Sequence, residues 1–319
     1  MNALDNVKKL GVLPVIKIED PETAVPLADA LRNGGINAIE VTLRNDTALE
    51  ALGRIKKQYP DMTVGAGTVL TTEQADEAVA AGADFLVAPG FNREIVEHSI
   101  ENGIPFVPGC TTASEMDEAL RLGLTTVKFF PAETMGGVAA LKLYSGPYSM
   151  LRFVPTGGVG FDNLESYLRA PFIAACGGSF IAKAELIRAH DWEAISENCR
   201  KAMKMSLGFE LAHVGINNEN EDSALANAKI LEKMLGLPLR DGNSSAFCGK
   251  AVEFMKCRYY GENGHIGFYT NSVYRAKAWF EREGIAVREE SLKTKPNGDW
   301  QSFYLEGEIG GFAIHVVAR

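Results

Sequence analysis

With 319 residues, a net charge of −9, 46% hydrophobic and 23% charged residues, the chain has an ordinary globular composition, with length for one large domain and a smaller one. The acidic balance argues against a nucleic-acid or anionic-membrane surface, and no apolar run approaches the ~20 residues needed to cross a bilayer. Cys110, Cys176, Cys199, Cys248 and Cys257 form no C-x-x-C pair, and the first residues lack a basic-then-apolar leader, so reduced thiols and a cytoplasmic location are expected.

Short apolar runs alternate with amphipathic stretches up to about residue 205. The runs cover 12–18, 38–43, 63–69, 85–88, 105–108, 126–130, 153–156 and 173–176. Polar helix-start signals follow several of them: Asp20-Pro21-Glu22, Thr71-Thr72-Glu73, Thr112-Ala113-Ser114-Glu115 and Asp162-Asn163. This rhythm predicts an α/β domain over 1–206, a (β/α)8 TIM barrel at the short end of its size range. A doubly wound open sheet is the competitor, but its strands, covered on both faces, read as continuous apolar runs. Here two strands carry polar residues at alternate positions.

Past residue 208 the pattern changes. A strand at 209–216, a helix at 224–235 and short strands through 256 are followed by a second pass: strand 264–269, helix 272–283, and strands ending at 313–317. Two modules of similar order suggest an internal duplication. The second domain, 209–319, is therefore expected to be a smaller α+β unit of paired βαβββ modules.

The polar positions in the barrel strands indicate where chemistry resides. Alternation over 39–44 places Ile39, Val41 and Leu43 on one face and Glu40, Thr42 and Arg44 on the other. Lys128 interrupts the apolar run Thr126-Val127-Lys128-Phe129-Phe130 and points inward by the same rule. A charged side chain is almost never buried without a partner or a task, and a lysine amine sheltered from water is disposed to act as a nucleophile. Thr68 and Thr156 close strands three and seven, at the end of a barrel where reactions occur. The competing reading is a structural Glu–Arg or Glu–Lys pair in a polar layer. Gly157-Gly158 after strand seven and Gly177-Gly178-Ser179 after strand eight predict an anion site, because glycines let backbone N–H groups approach a ligand. A helix beginning near Ser179 would add its positive end.

These segments identify a resemblance. Gly11-Val12-Leu13-Pro14-Val15-Ile16, Glu40-Val41-Thr42-Leu43-Arg44, Gly65-Ala66-Gly67-Thr68-Val69, Pro89-Gly90, Lys128-Phe129-Phe130-Pro131-Ala132-Glu133, Gly136-Gly137 and Pro155-Thr156-Gly157-Gly158 resemble, in order, the 2-keto-3-deoxy-6-phosphogluconate (KDPG) and 4-hydroxy-2-oxoglutarate (KHG) aldolases. The resemblance implies a class I aldolase without a cofactor, in which Lys128 forms a Schiff base and Glu40 is the general acid/base. It implies that Arg44 and Thr68 hold the pyruvyl carboxylate, beside Thr156 and Pro89. Gly157, Gly158, Gly178 and Ser179 match the phosphate cradle. Lys17 stands where many relatives carry Arg, keeping the charge but losing the planar fork. A phosphorylated keto acid as substrate and a homotrimer are implied. The 6-phosphogalactonate epimer, an isomerase or synthase using Lys128 electrostatically, and a metabolite sensor stay open as alternatives.

Residues 209–319 resemble the vicinal oxygen chelate fold of glyoxalase I and bleomycin-resistance proteins. The resemblance is carried by Leu211-Ala212-His213-Val214-Gly215-Ile216, Glu232-Lys233-Met234-Leu235-Gly236-Leu237 and Gly264-His265-Ile266-Gly267-Phe268. It implies His213, Glu253, His265 and His315 as ligand positions for a divalent metal ion, with His315 replacing the glutamate of glyoxalase-type members. Vestigial ligands in a packing or sensing domain are the alternative.

Overall fold

A computed structural model describes residues 3–319. The chain divides into two compact units, Met1–Ser206 and Leu207–Arg319. Among the described residues, no helix is long and apolar enough to cross a membrane.

The first unit is an eight-stranded parallel ring. Its strands are β1 (Val12–Ile16), β2 (Ala38–Thr42), β3 (Thr63–Gly67), β4 (Phe85–Val87), β5 (Phe106–Val107), β6 (Thr126–Phe129), β7 (Arg152–Pro155) and β8 (Cys176–Gly178). Six run in the order β5-β4-β3-β2-β1-β8, and β6 pairs with β7. Bridges between Gly109 and Lys128, and between Thr156 and Gly177, close the ring on both sides of the pair. Closure settles the choice between barrel and open sheet.

Local sequence starts the intervening helices. Thr112 and Glu115 form a reciprocal capping box on the helix Ala113–Arg121, and Thr71 accepts from Gln74 N at the start of Thr72–Ala80. Two expectations are corrected. Strand eight lies at Cys176–Gly178, with Ile173 making only a bridge to Phe153. Its glycines hide the signal: a Cβ on Gly177 would lie 2.4 Å from Thr156 Oγ1, so the strand is built where an apolar run cannot be. No helix begins near Ser179; the chain bends there, and the next helix is the five-residue Ala184–Arg188.

The second unit holds two βαβββ modules in one eight-stranded sheet. The first contains β9 (Glu210–Asn217), the helix Glu221–Leu235, β10 (Leu239–Asp241), β11 (Ser245–Cys248) and β12 (Val252–Met255). The second contains β13 (Gly264–Thr270), the helix Val273–Arg282, β14 (Val287–Thr294), β15 (Trp300–Leu305) and β16 (Phe312–Ala318). The strand order is β10-β11-β12-β9-β13-β16-β15-β14, with the modules meeting antiparallel at β9 and β13. Each helix covers its own core: Ala224 and Ala228 pack with Ala246, Cys248 and Phe254, whereas Val273 and Ala276 pack with Phe303, Leu305 and Val316.

Candidate active site

Glu40, in the middle of β2, and Lys128, on β6, project into the ring. Lys128 Nζ donates to Glu40 Oε1 at 3.1 Å, with the two side chains 6% and 1% exposed. Such a pair is weak evidence for stability, since desolvating both charges offsets most of their attraction. The space for the carboxylate comes from the next strand. A Cβ on Gly67 would lie 2.2 Å from Glu40 Oε1, so that position admits only glycine while Glu40 keeps this rotamer.

Arg44 lies just past the end of β2, where its Nε donates to Thr68 Oγ1 at 3.2 Å. Thr68 adopts φ +62°, a region a β-branched residue enters only at a cost of about 1–3 kcal/mol. Strain of this kind concentrates at ligand-binding sites. Pro89 occupies the bend after β4, and a Cβ on Gly109 would lie 2.1 Å from its carbonyl oxygen.

A cavity of about 360 Å³ is walled by Lys17, Arg44, Thr156, Gly157, Gly158 and Ser179, together with Gly178. Thr156 Oγ1 is buried without a hydrogen-bond partner, a vacancy in hydrogen bonding that a polar ligand would fill. Gly157 and Gly158 have φ of +93° and +82°, which turns the backbone as side-chain-bearing residues rarely do. Lys17 is exposed and paired to Glu19 at 3.2 Å. Lys128, Glu40, Thr68 and Pro89 do not line this cavity. Phe130 connects the two regions: it lines the cavity, and its ring centre is 5.8 Å from Lys128 Nζ.

The second unit gathers a separate donor cluster. His213 and His265 Nε2 atoms are 2.9 Å apart, and Glu253 Oε2 lies 3.4 Å from the first and 3.2 Å from the second. His213, His265 and His315 each present a ring nitrogen within 4.8 Å of the others. Burial, reinforced by His265 and then His213, pushes His315 down to about 3; burial and His265 also lower His213. Burial alone would raise Glu253, but hydrogen bonds from His265 and Ser245 outweigh it and hold the carboxyl below its usual range. Neutral imidazoles and an ionised carboxylate are the forms that bind a cation. Ser245 Oγ fixes the carboxylate at 2.5 Å, and Tyr304 stacks on His315 with centroids 4.3 Å apart. Nδ1 of both His265 and His315 is buried without a partner. The donor set fits a divalent ion of the zinc class.

Sequence reasoning did not assign Gly67 or Phe130 any part in the site, although both sit inside quoted motifs, because their roles depend on neighbours distant in the chain.

The family model for KDPG and KHG aldolase matches residues 4–198. The 2-dehydro-3-deoxy-phosphogluconate aldolase of Treponema pallidum is 44% identical over 199 residues, covering 62% of this chain and 95% of that protein. The KHG/KDPG aldolase of Escherichia coli is 42% identical over 60% of this chain and 91% of its own length. The structure of KDPG aldolase from Legionella pneumophila, with pyruvate captured as a covalent carbinolamine intermediate, is 42% identical with a TM-score of 0.62, covering 63% of this chain and 98% of that one. The family match ends at residue 198, so the second unit is read from its own geometry. The chain belongs to the KDPG and KHG aldolase family.

Proposed function

We propose that the protein is a class I aldolase that cleaves 2-keto-3-deoxy-6-phosphogluconate to pyruvate and glyceraldehyde 3-phosphate, with 4-hydroxy-2-oxoglutarate as a secondary substrate yielding pyruvate and glyoxylate. The observation that carries it is the enclosed contact between Lys128 Nζ and Glu40 Oε1. Lys128 Nζ adds to the C2 carbonyl, the carbinolamine loses water, and the resulting iminium is an electron sink. Glu40 takes the proton of the C4 hydroxyl as the C3–C4 bond breaks and its electron pair moves toward nitrogen. The enamine is then protonated at C3, and water releases pyruvate and the free amine. General acid/base assistance of this kind contributes about 10²–10⁴-fold, and the iminium makes a metal unnecessary for the cleavage.

Arg44 and Thr68 are assigned to the carboxylate, with Thr156 supplying its unpartnered hydroxyl. The Gly157, Gly158, Gly178 and Ser179 wall, with Lys17, is assigned to the phosphate. Hydroxyoxoglutarate has no phosphate and leaves that wall unused, which ranks it second. Four of the five free cysteines are buried, in keeping with a reducing cytoplasm, and the family relationship favours a homotrimer. Borohydride with pyruvate is expected to trap an adduct on Lys128. Normal turnover by Lys128→Ala would sink the assignment.

In the second unit, His213, Glu253, His265 and His315 would hold a divalent ion, which when bound supplies Lewis-acid chemistry. Metal analysis of untagged protein tests this, with loss of metal expected in His213→Ala and His265→Ala.

A further inference from the structure

A backbone turn binds an anion only when its N–H groups face the ligand, which requires its carbonyl oxygens to be held elsewhere. In the turn after β7 they are held. Thr156 O accepts from Ala132 N at 2.8 Å, and Gly157 O accepts from Glu133 N at 3.1 Å. Gly158 O accepts from Asn163 Nδ2 at 3.0 Å, while Asn163 Oδ1 takes Gly160 N at 2.9 Å. Among the described residues, the N–H of Gly158 meets no protein acceptor.

Glu133 would be an awkward neighbour for a phosphate, since its carboxylate is an anion beside the same turn. A Cβ on Gly158 would lie 2.6 Å from both Cβ and Cγ of Glu133. Yet Glu133 does not line the cavity. Its Oε1 accepts a hydrogen bond from the hydroxyl of Tyr167, whose side chain is fully buried. Gly137, at φ +60°, lets the pair meet: a Cβ there would lie 3.0 Å from Glu133 Oε1 and 3.1 Å from Tyr167 Oη.

We propose that Tyr167 and Asn163 are positioning residues that set the preference for a phosphorylated over an unphosphorylated keto acid, Asn163 by drawing back the Gly158 carbonyl and Tyr167 by tethering the Glu133 carboxylate away from the phosphate. This rests on reading the turn as the phosphate cradle. The loosened carboxylate and misdirected carbonyl act on a phosphate seated in the turn, and KHG, which ends at its C5 carboxylate, places none there, so it is the internal control.

The test measures kcat and KM for KDPG and KHG in Tyr167→Phe, Asn163→Ala and the double variant Tyr167→Phe/Glu133→Gln, with inorganic phosphate as a competitor. Tyr167→Phe and Asn163→Ala are each expected to raise KM for KDPG about tenfold with little change in kcat. KHG turnover is expected to stay within about twofold of the unmutated protein, and phosphate inhibition to weaken in step with the KDPG effect. Removing the loosened charge in the double variant should recover most of the lost KDPG affinity. Equal losses on both substrates, or no rescue by Glu133→Gln, would overturn the positioning role. Phosphate competition unchanged in both single variants would overturn it while leaving the cradle intact. No phosphate competition in the unmutated protein would overturn the cradle and, with it, this proposal.

Discussion

Lys128 and Glu40 meet inside the ring with almost no water contact, and the energetics of that arrangement can be tested apart from its chemistry. Removing one partner leaves the other charge buried and alone, a loss of about 3–5 kcal/mol, whereas neutralising both removes attraction and desolvation together. Lys128→Met is therefore expected to destabilise the barrel strongly, and Lys128→Met/Glu40→Gln to recover most of that loss while remaining inactive. Urea unfolding of both variants checks this. A double variant no more stable than the single one would mean the pair serves stability after all. Gly67 belongs to the same argument. With 2.2 Å between a built Cβ and Glu40 Oε1, Gly67→Ala must displace the carboxylate from Lys128. The expected result is a fall in kcat of about 10²-fold or more, the size of a lost acid/base contribution, for the phosphorylated and unphosphorylated substrates alike.

At the level of the element, the duplicated sheet shows a reciprocity that the sequence displays only as a repeated His-x-Gly. On β9 and β13, His265 stands opposite Gly215 and Gly267 opposite His213. A Cβ on Gly215 would lie 2.1 Å from the His265 ring, and one on Gly267 would lie 2.4 Å from the His213 ring. Each module's glycine thus makes room for the other module's imidazole. Gly215→Ala and Gly267→Ala are each expected to lower bound metal at least about tenfold by elemental analysis, with aldol cleavage unchanged. Retention of full metal content by both would show that the rings do not need these positions. The same elements show what was legible beforehand. Glu40 stood out on the polar face of an alternating strand and Lys128 as a cation in an apolar run, whereas the histidines were marked by the resemblance to the vicinal oxygen chelate fold. Strand β8 was displaced because Cys176-Gly177-Gly178 carries almost no hydrophobic signal, its side chains having been given up to Thr156 and Phe180. Asn163 resembled a helix start, and Asn163 does precede the helix Leu164–Leu168, but its side chain spends its hydrogen bonds on Gly158 and Gly160. Pattern reading finds where a residue sits on its own element; it cannot find which distant backbone that residue holds.

Across the whole molecule, two compact units each gather a cluster of polar groups, the first inside a closed ring and the second on an open sheet. The proposed metal donors come in equal shares from the two modules of the second unit: His213 and Glu253 from one, His265 and His315 from the other. An ion held between them would therefore join the halves of that sheet. An ion that binds only the folded state adds about 2.7 kcal/mol of stability at a free concentration 100 times its dissociation constant. None of these donors belongs to the barrel, and the Schiff base supplies its own electron sink. Chelation of the intact protein is accordingly expected to lower a thermal transition by several degrees while leaving the rate of aldol cleavage unchanged. Adding zinc back should restore the transition, and His265→Ala should abolish the response. Calorimetry and a coupled pyruvate assay on the same sample make the comparison. If chelator abolished cleavage in proportion to metal removed, the iminium would not be the sole electron sink and the metal-free scheme would fall. If neither the transition nor the rate responded, the donor cluster would hold no ion that matters to the fold.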